Sequence, residues 1–184
     1  MHHKRLILTA LFTALIIVGS YIRFPLPPIP ITLQTLFVLL SGFLGGSSMA
    51  LFSVAIYLLL GIIGLPVYSG GGGIGYLLGP TGGYLFGLIF AAFVAGIAGN
   101  FKAKEKKPRH YLILLIVCGI MATLLIYGCG VTWLKISRSL SWRAALQAGM
   151  LPFLAGDVIK LIAAIQMARS FHLRIERFLD TSLA

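Results

Sequence analysis

The chain has 184 residues, 59% of them hydrophobic and 10% charged, with a formal net charge of +11. A soluble domain carries roughly 25% charged residues, so the composition excludes a water-soluble globule and points to an integral membrane protein. The apolar runs are continuous and helix-length, which excludes a transmembrane β-barrel built from alternating segments of about 10 residues. The length suits six short-looped helices in a single domain covering residues 1–184.

The excess of cations is no sign of nucleic-acid binding. Lysines and arginines fall in loops and at span ends, where they set topology and meet anionic lipid head groups. Cys118 and Cys129 share one apolar stretch without metal-ligand spacing, and read as small core residues. Lys4 and Arg5 precede an apolar run long enough to span, so the start of the chain reads as a first helix and not as a cleaved signal. His2 and His3 receive no role.

Span 1 covers about residues 6–22. Ala10 and Ala14 lie on one face of it and permit close helix approach. That face suits either packing within the protein or docking of a partner membrane protein. A proline-rich segment follows, in which Pro25, Pro27, Pro28 and Pro30 forbid helix and favour a stiff extended loop. Thr32, Gln34 and Thr35 stand where this loop enters span 2, about 33–44. Thr32 fits a helix cap, whereas the amide of Gln34 needs a hydrogen-bond partner in an apolar span.

Gly45-Gly46-Ser47-Ser48 turns the chain into span 3, about 49–63. The long stretch Gly61 to Gly87 then reads as a flexible glycine-dense loop, with four consecutive glycines at Gly70–Gly73. Gly79-Pro80-Thr81 reads as a helix start with Pro at the first helical position. Free N–H groups around Pro80 to Gly83 would suit an anionic group such as a carboxylate. Span 4, about 81–98, is rich in glycine and alanine. A polar loop from Asn100 to His110 leads to span 5, about 111–134, with Trp133 as an interfacial anchor. Span 6 covers about 150–168, and the tail from Arg169 is polar and amphipathic.

Six spans put both termini on one side. That side holds Lys4, Arg5, Lys102, Lys104, Lys106, Lys107, Arg109, Arg169, Arg174 and Arg177; the other holds Arg23, Lys135, Arg138 and Arg143. The cation bias places both termini in the cytoplasm and both unusual loops outside.

Asp157 and Lys160 are an acid and a base embedded within span 6, roughly 10 Å and 15 Å below its outer end by helix rise. They share a helix face. A charge at this depth is costly unless paired or hydrated, which makes the pair a functional candidate. A structural ion pair is one reading. A ligand pocket is the better one, with Asp157 accepting from N–H groups and Lys160 donating to a carbonyl or balancing the acid. Such a pair matches a cyclic urea or amide. The histidines lie outside the spans, no carboxylate pair or metal cluster is evident, and the glycine run lacks the Gly-Lys-Ser/Thr ending of a P-loop. No enzyme activity is expected, and uphill transport would draw its energy from a partner.

GLPVYSGGGGIGYLLGPTGGYLFG, together with PPIPITLQTL upstream and FLAGDVIK downstream, closely resembles the BioY family, the biotin-binding S components of energy-coupling factor (ECF) transporters. The resemblance runs from span 1 to span 6. It implies the all-α S-component fold with six transmembrane helices and high-affinity capture of biotin from outside the cell membrane of a prokaryote. It also implies uptake with a transmembrane T component and two cytoplasmic ATPases. ATP would be used by those partners, with no cofactor bound by this chain. Asp157 and Lys160 match the pair at the ureido end of biotin, Tyr84 and the Gly70–Gly73 loop match the lid and wall, and Gln34, Thr81, Gly72 and Gly73 complete the expected substrate site. The Ala10/Ala14 face becomes the expected T-component contact. An S component for a different vitamin, or a structural membrane protein without a small ligand, are the alternatives.

Overall fold

The computed structural model describes residues 2–101 and 108–180. The order is α1 (His2–Tyr21), β1 (Arg23–Phe24), β2 (Ile31–Thr32), α2 (Gln34–Ile62), α3 (Ile74–Leu78), α4 (Gly82–Phe101), α5 (Pro108–Ser137), α6 (Trp142–Gly149), a 3-10 turn (Leu151–Phe153) and α7 (Leu154–Asp180). Among the described residues, five helical stretches are long and apolar enough to cross a membrane.

The sixth crossing is hidden in α2. Its backbone breaks at Gly46, with φ 78° and ψ 173°, a conformation that favours glycine. The first arm (34–45) starts beside the C-terminal end of α1, where Leu33 N–H donates to Gly19 carbonyl at 3.0 Å. The second arm (47–62) runs parallel to α1. Ser53 bonds to Thr9 and Thr13 near the start of α1, while Val67, just past this arm, accepts from Ser20 near the end of α1. The chain therefore reverses at Gly46, as the Gly-Gly-Ser-Ser turn predicts. Asn100 holds the reversal: its Oδ1 accepts from Ser47 N–H at 3.2 Å and its Nδ2 donates to Ser47 Oγ at 3.1 Å. Asn100 thus closes α4 against the reversal, where the sequence reading made it the start of a polar loop.

Small residues set the closeness of α2 and α4. A Cβ on Gly96 would lie 2.2 Å from Ser47 Cα, and one on Gly42 would lie 2.7 Å from Gly96 N. Such approach is the main use of small residues where lipid offers no hydrophobic drive to association. The main core then fills with Phe43, Val54, Tyr57, Ala91, Leu115 and Ala164 from the α2, α4, α5 and α7 segments. A smaller cluster around Tyr127, Leu134 and Phe153 sits under the proline loop through Ile29.

Several boundaries differ from the sequence reading. The proline segment is not simply extended: it is a hairpin with Arg23 opposite Thr32 and Phe24 opposite Ile31. The glycine loop contains α3, because Ile74, Leu77 and Leu78 carry an i, i+3, i+4 apolar pattern that the glycine run obscures. α4 begins at Gly82 and not at Pro80, since α3 closes on Gly79 and the chain turns tightly there. The amides of Gly82 and Tyr84 donate to the carbonyls of Gly79 and Thr81, so these two are not open to an anion. Trp133 is more than an interfacial anchor. Its indole N–H donates to Gly79 carbonyl at 2.9 Å, and Gly82 and Gly83 leave room for its ring.

The last span begins at Leu154 and continues through the polar tail to Asp180. At 1.5 Å per residue that helix is about 40 Å long, about 10 Å more than a hydrocarbon core. α6 also forms ahead of it, capped by Ser141 Oγ, which accepts from Ala144 N–H at 3.2 Å. Lys4 Nζ donates to Phe178 carbonyl at 2.6 Å, so the first and last described helices end at the same face of the bundle. Lys102, Lys104, Lys106 and Lys107 lie outside the described residues.

Candidate functional site

Between the hairpin, the start of α2 and helices α4, α5 and α7 lies a cavity of about 600 Å³, its open mouth included. Apolar walls come from Ile29, Leu85, Leu88, Ile126 and Phe153. Polar groups gather at one end, around Asp157 and Lys160.

The Lys160 side chain is 9% exposed and that of Asp157 is 15% exposed. Helical spacing of three puts them together, with Nζ 2.5 Å from Asp157 Oδ1. Lys160 Nζ also donates to Thr32 carbonyl and to Thr35 Oγ1, each at 3.0 Å. A lysine ammonium has three protons, so all three are committed. Asp157 Oδ2 accepts from the Tyr127 hydroxyl. A carboxylate offers about four acceptor positions, and two remain. The floor can therefore accept N–H groups from a ligand. Lys160 balances the charge of Asp157 and ties the hairpin to α7 instead of being a spare donor.

Gln34 opens α2, lines the same cavity and is 7% exposed. Its Nε2 has no hydrogen-bond partner among the described residues. Tyr84 contributes its ring to the wall, but its hydroxyl is spent on Gly149 carbonyl at 2.8 Å. Gly130 and Gly149 are bare where this side chain passes: a Cβ on either would come within 2.3 Å of it.

A second, wider depression adjoins the cavity at the hairpin end of the bundle. Arg23, the proline loop, Gly70, Gly75, Gly79 and Pro80 line it. Pro30, Ser69, Tyr76 and Thr81 line both spaces and so form the wall between them. In that wall the hydroxyls of Ser69 and Tyr76 are 2.8 Å apart. Tyr76 stacks on Tyr68 at a centroid distance of 5.2 Å. Burial, reinforced by Tyr76, pushes the Tyr68 phenol up to about 12, so it remains a neutral donor to Leu58 carbonyl at 2.7 Å.

Thus Asp157, Lys160, Gln34, Thr81 and Tyr84 meet around one cavity. Gly72 and Gly73 are not among its lining residues. They stitch the loop to the end of α2: Gly73 N–H donates to Gly61 carbonyl at 2.6 Å, and a Cβ on Gly72 would lie 2.1 Å from Leu65 carbonyl oxygen. Ala10 and Ala14 are exposed on α1, away from the cavity. Sequence reasoning missed Tyr127, Phe153, Ser69 and Tyr76. Tyr127 had one available signal, a polar-tipped aromatic well inside an apolar span.

The family model described as the BioY family matches residues 1–177. The chain belongs to the BioY family. Among its relatives, the biotin transporter BioY of Thermotoga maritima is 42% identical over 95% of this chain and 99% of its own length. The probable biotin transporter BioY of Pyrococcus horikoshii is 38% identical over 91% of this chain and 96% of its own length. Among solved structures, the S-component for biotin from an ECF-type ABC transporter superposes with a TM-score of 0.81 at 28% identity, covering 92% of this chain and 91% of that one. This BioY-family chain has the ECF S-component fold and is a multi-pass membrane protein of the transporter class.

Proposed function

We propose that the protein captures biotin at the outer face of a prokaryotic cell membrane and passes it inward as the S component of an ECF transporter. The observation that carries this reading is the cavity floor. Asp157 lines the cavity with two acceptor positions unfilled, while Lys160 balances its charge and Gln34 carries an unmatched donor. A cyclic urea presents N–H donors and a carbonyl acceptor, which suits such a floor. The apolar walls suit a ring system with an aliphatic chain.

The termini are cytoplasmic in this reading, which puts the hairpin and α3 outside. Among the described residues, Lys4, Arg5, Arg109, Arg169, Arg174 and Arg177 stand toward the terminal side, against Arg23, Lys135, Arg138 and Arg143 toward the other. Ala10 and Ala14, exposed among Leu6, Ile7 and Leu11, form the face on which the transmembrane T component docks. Two cytoplasmic ATPases supply the energy, and this chain performs no covalent chemistry. Titration calorimetry of the detergent-solubilised chain tests the reading, with riboflavin and thiamine as competitors. Tight one-to-one binding of biotin that neither competitor disturbs is the expected result. Preference for either competitor would redirect the reading to another vitamin, and binding of none of the three would contradict it.

A further inference from the structure

We infer that Gln34 donates to the ureido oxygen of the ligand and so sets the selectivity of the pocket for a urea over a guanidine; this rests on the capture reading above. Three buried side-chain polar atoms lack a partner among the described residues: Gln34 Nε2, Tyr57 Oη and Tyr111 Oη. Of these residues only Gln34 lines the cavity. A buried amide donor without an acceptor is unfavourable, and native structures rarely leave one so. The strongest neighbouring donors are engaged elsewhere. Lys160 has given its three protons to Asp157, Thr32 and Thr35, Tyr127 donates to Asp157, and Tyr84 donates to Gly149.

Position supplies the second argument. Gln34 is adjacent in the chain to Thr35, whose hydroxyl accepts from Lys160, which in turn holds Asp157. Gln34 lines the same cavity as Asp157 and Lys160, so that cavity carries both an acceptor, Asp157, and an unmatched donor, Gln34. A ligand carboxylate against Asp157 would set like charges together, whereas the N–H of a urea would not. With a urea N–H on Asp157, the adjacent carbonyl oxygen is the acceptor that satisfies Gln34 Nε2. Replacing that oxygen by an N–H group turns the contact into donor against donor, and a buried polar group left unpaired is a strong means of rejection.

The test compares biotin with 2-iminobiotin, whose guanidine is protonated at neutral pH. Both are titrated into the full detergent-solubilised chain as wild type, Gln34→Glu and Gln34→Met. Wild type is expected to favour biotin by about 100-fold or more. Gln34→Glu, which puts an acceptor where the donor stands, is expected to shrink that preference by about tenfold or more. Gln34→Met, of similar length but without a donor, is expected to weaken biotin by about tenfold and 2-iminobiotin by less. A purely structural role would weaken both ligands together and leave their ratio unchanged. A ratio within about twofold of wild type in the folded variants overturns the inference; if Gln34→Glu does not fold, Gln34→Met decides. Wild-type protein that binds no biotin overturns instead the capture reading beneath it.

Discussion

At the floor of the cavity, Lys160 holds three acceptors and Asp157 is gripped by both Lys160 and Tyr127. At its mouth, the wall toward the outer depression carries one side-chain hydrogen bond, between Ser69 and Tyr76. The contrast extends to the backbone. Floor residues sit on α2, α5 and α7, whereas the mouth hangs on a loop with left-handed glycines at Gly64 (φ 101°), Gly71 (φ 134°) and Gly73 (φ 88°). A satisfied network on long helices is preorganised and gives affinity and selectivity. A wall held by one neutral side-chain bond and the Tyr76–Tyr68 stack opens at less cost than the charged floor, so it governs how fast a ligand passes. Affinity and rate are thereby assigned to different ends of the site.

The largest effect is expected from Lys160→Met. It leaves Asp157, only 15% exposed, without its counter-charge, and breaking a fully buried pair from one side costs about 3–5 kcal/mol, an upper bound here. Thermal unfolding in detergent is expected to show a clear fall in Tm, together with loss of measurable biotin binding. An unchanged Tm would show that the floor is not the rigid end. Tyr127→Phe removes one donor to a charged acceptor, a bond of about 1.5–3 kcal/mol. Biotin affinity is expected to fall by about tenfold, with a fall in Tm smaller than that of Lys160→Met. Ser69→Ala releases Tyr76 and is the smallest of the three. Stopped-flow binding is expected to show association and dissociation both faster by about threefold, with Kd nearly constant, in keeping with a neutral bond of about 1 kcal/mol. A change in Kd without a change in rates would erase the division between floor and mouth.

Much of this was legible in the residues. The reversal at Gly46 follows from Gly-Gly-Ser-Ser, and Asp157 and Lys160 declare themselves as charges inside an apolar span. Gln34 and Thr81 fall at span starts, where a polar residue beside an apolar run stands out. The saturation of Lys160 was not legible, because one of its acceptors is the Thr32 carbonyl, and a backbone atom carries no side-chain signal. Tyr127 hid for a related reason: its apolar ring fits the hydrophobic run and only its hydroxyl reaches Asp157. The glycine run misled in the other direction. Flexibility suggested that Gly72 and Gly73 face a ligand, yet their lack of side chains serves close approach to Leu65 and Gly61. Glycine density shows that the backbone is bare, and the contacts on either side decide whether a ligand or another loop takes advantage of it.

The most direct measurement of the central claim is the affinity of biotin for the wild-type chain and for Asp157→Asn, by titration of folded, detergent-solubilised protein well below the Tm of each. The substitution keeps the size of the side chain while weakening its acceptor and removing the charge that Lys160 balances. Tight one-to-one binding by wild type and a loss of about tenfold or more in Asp157→Asn is the predicted result. Equal affinity in the two proteins would contradict the placement of the ligand on this floor.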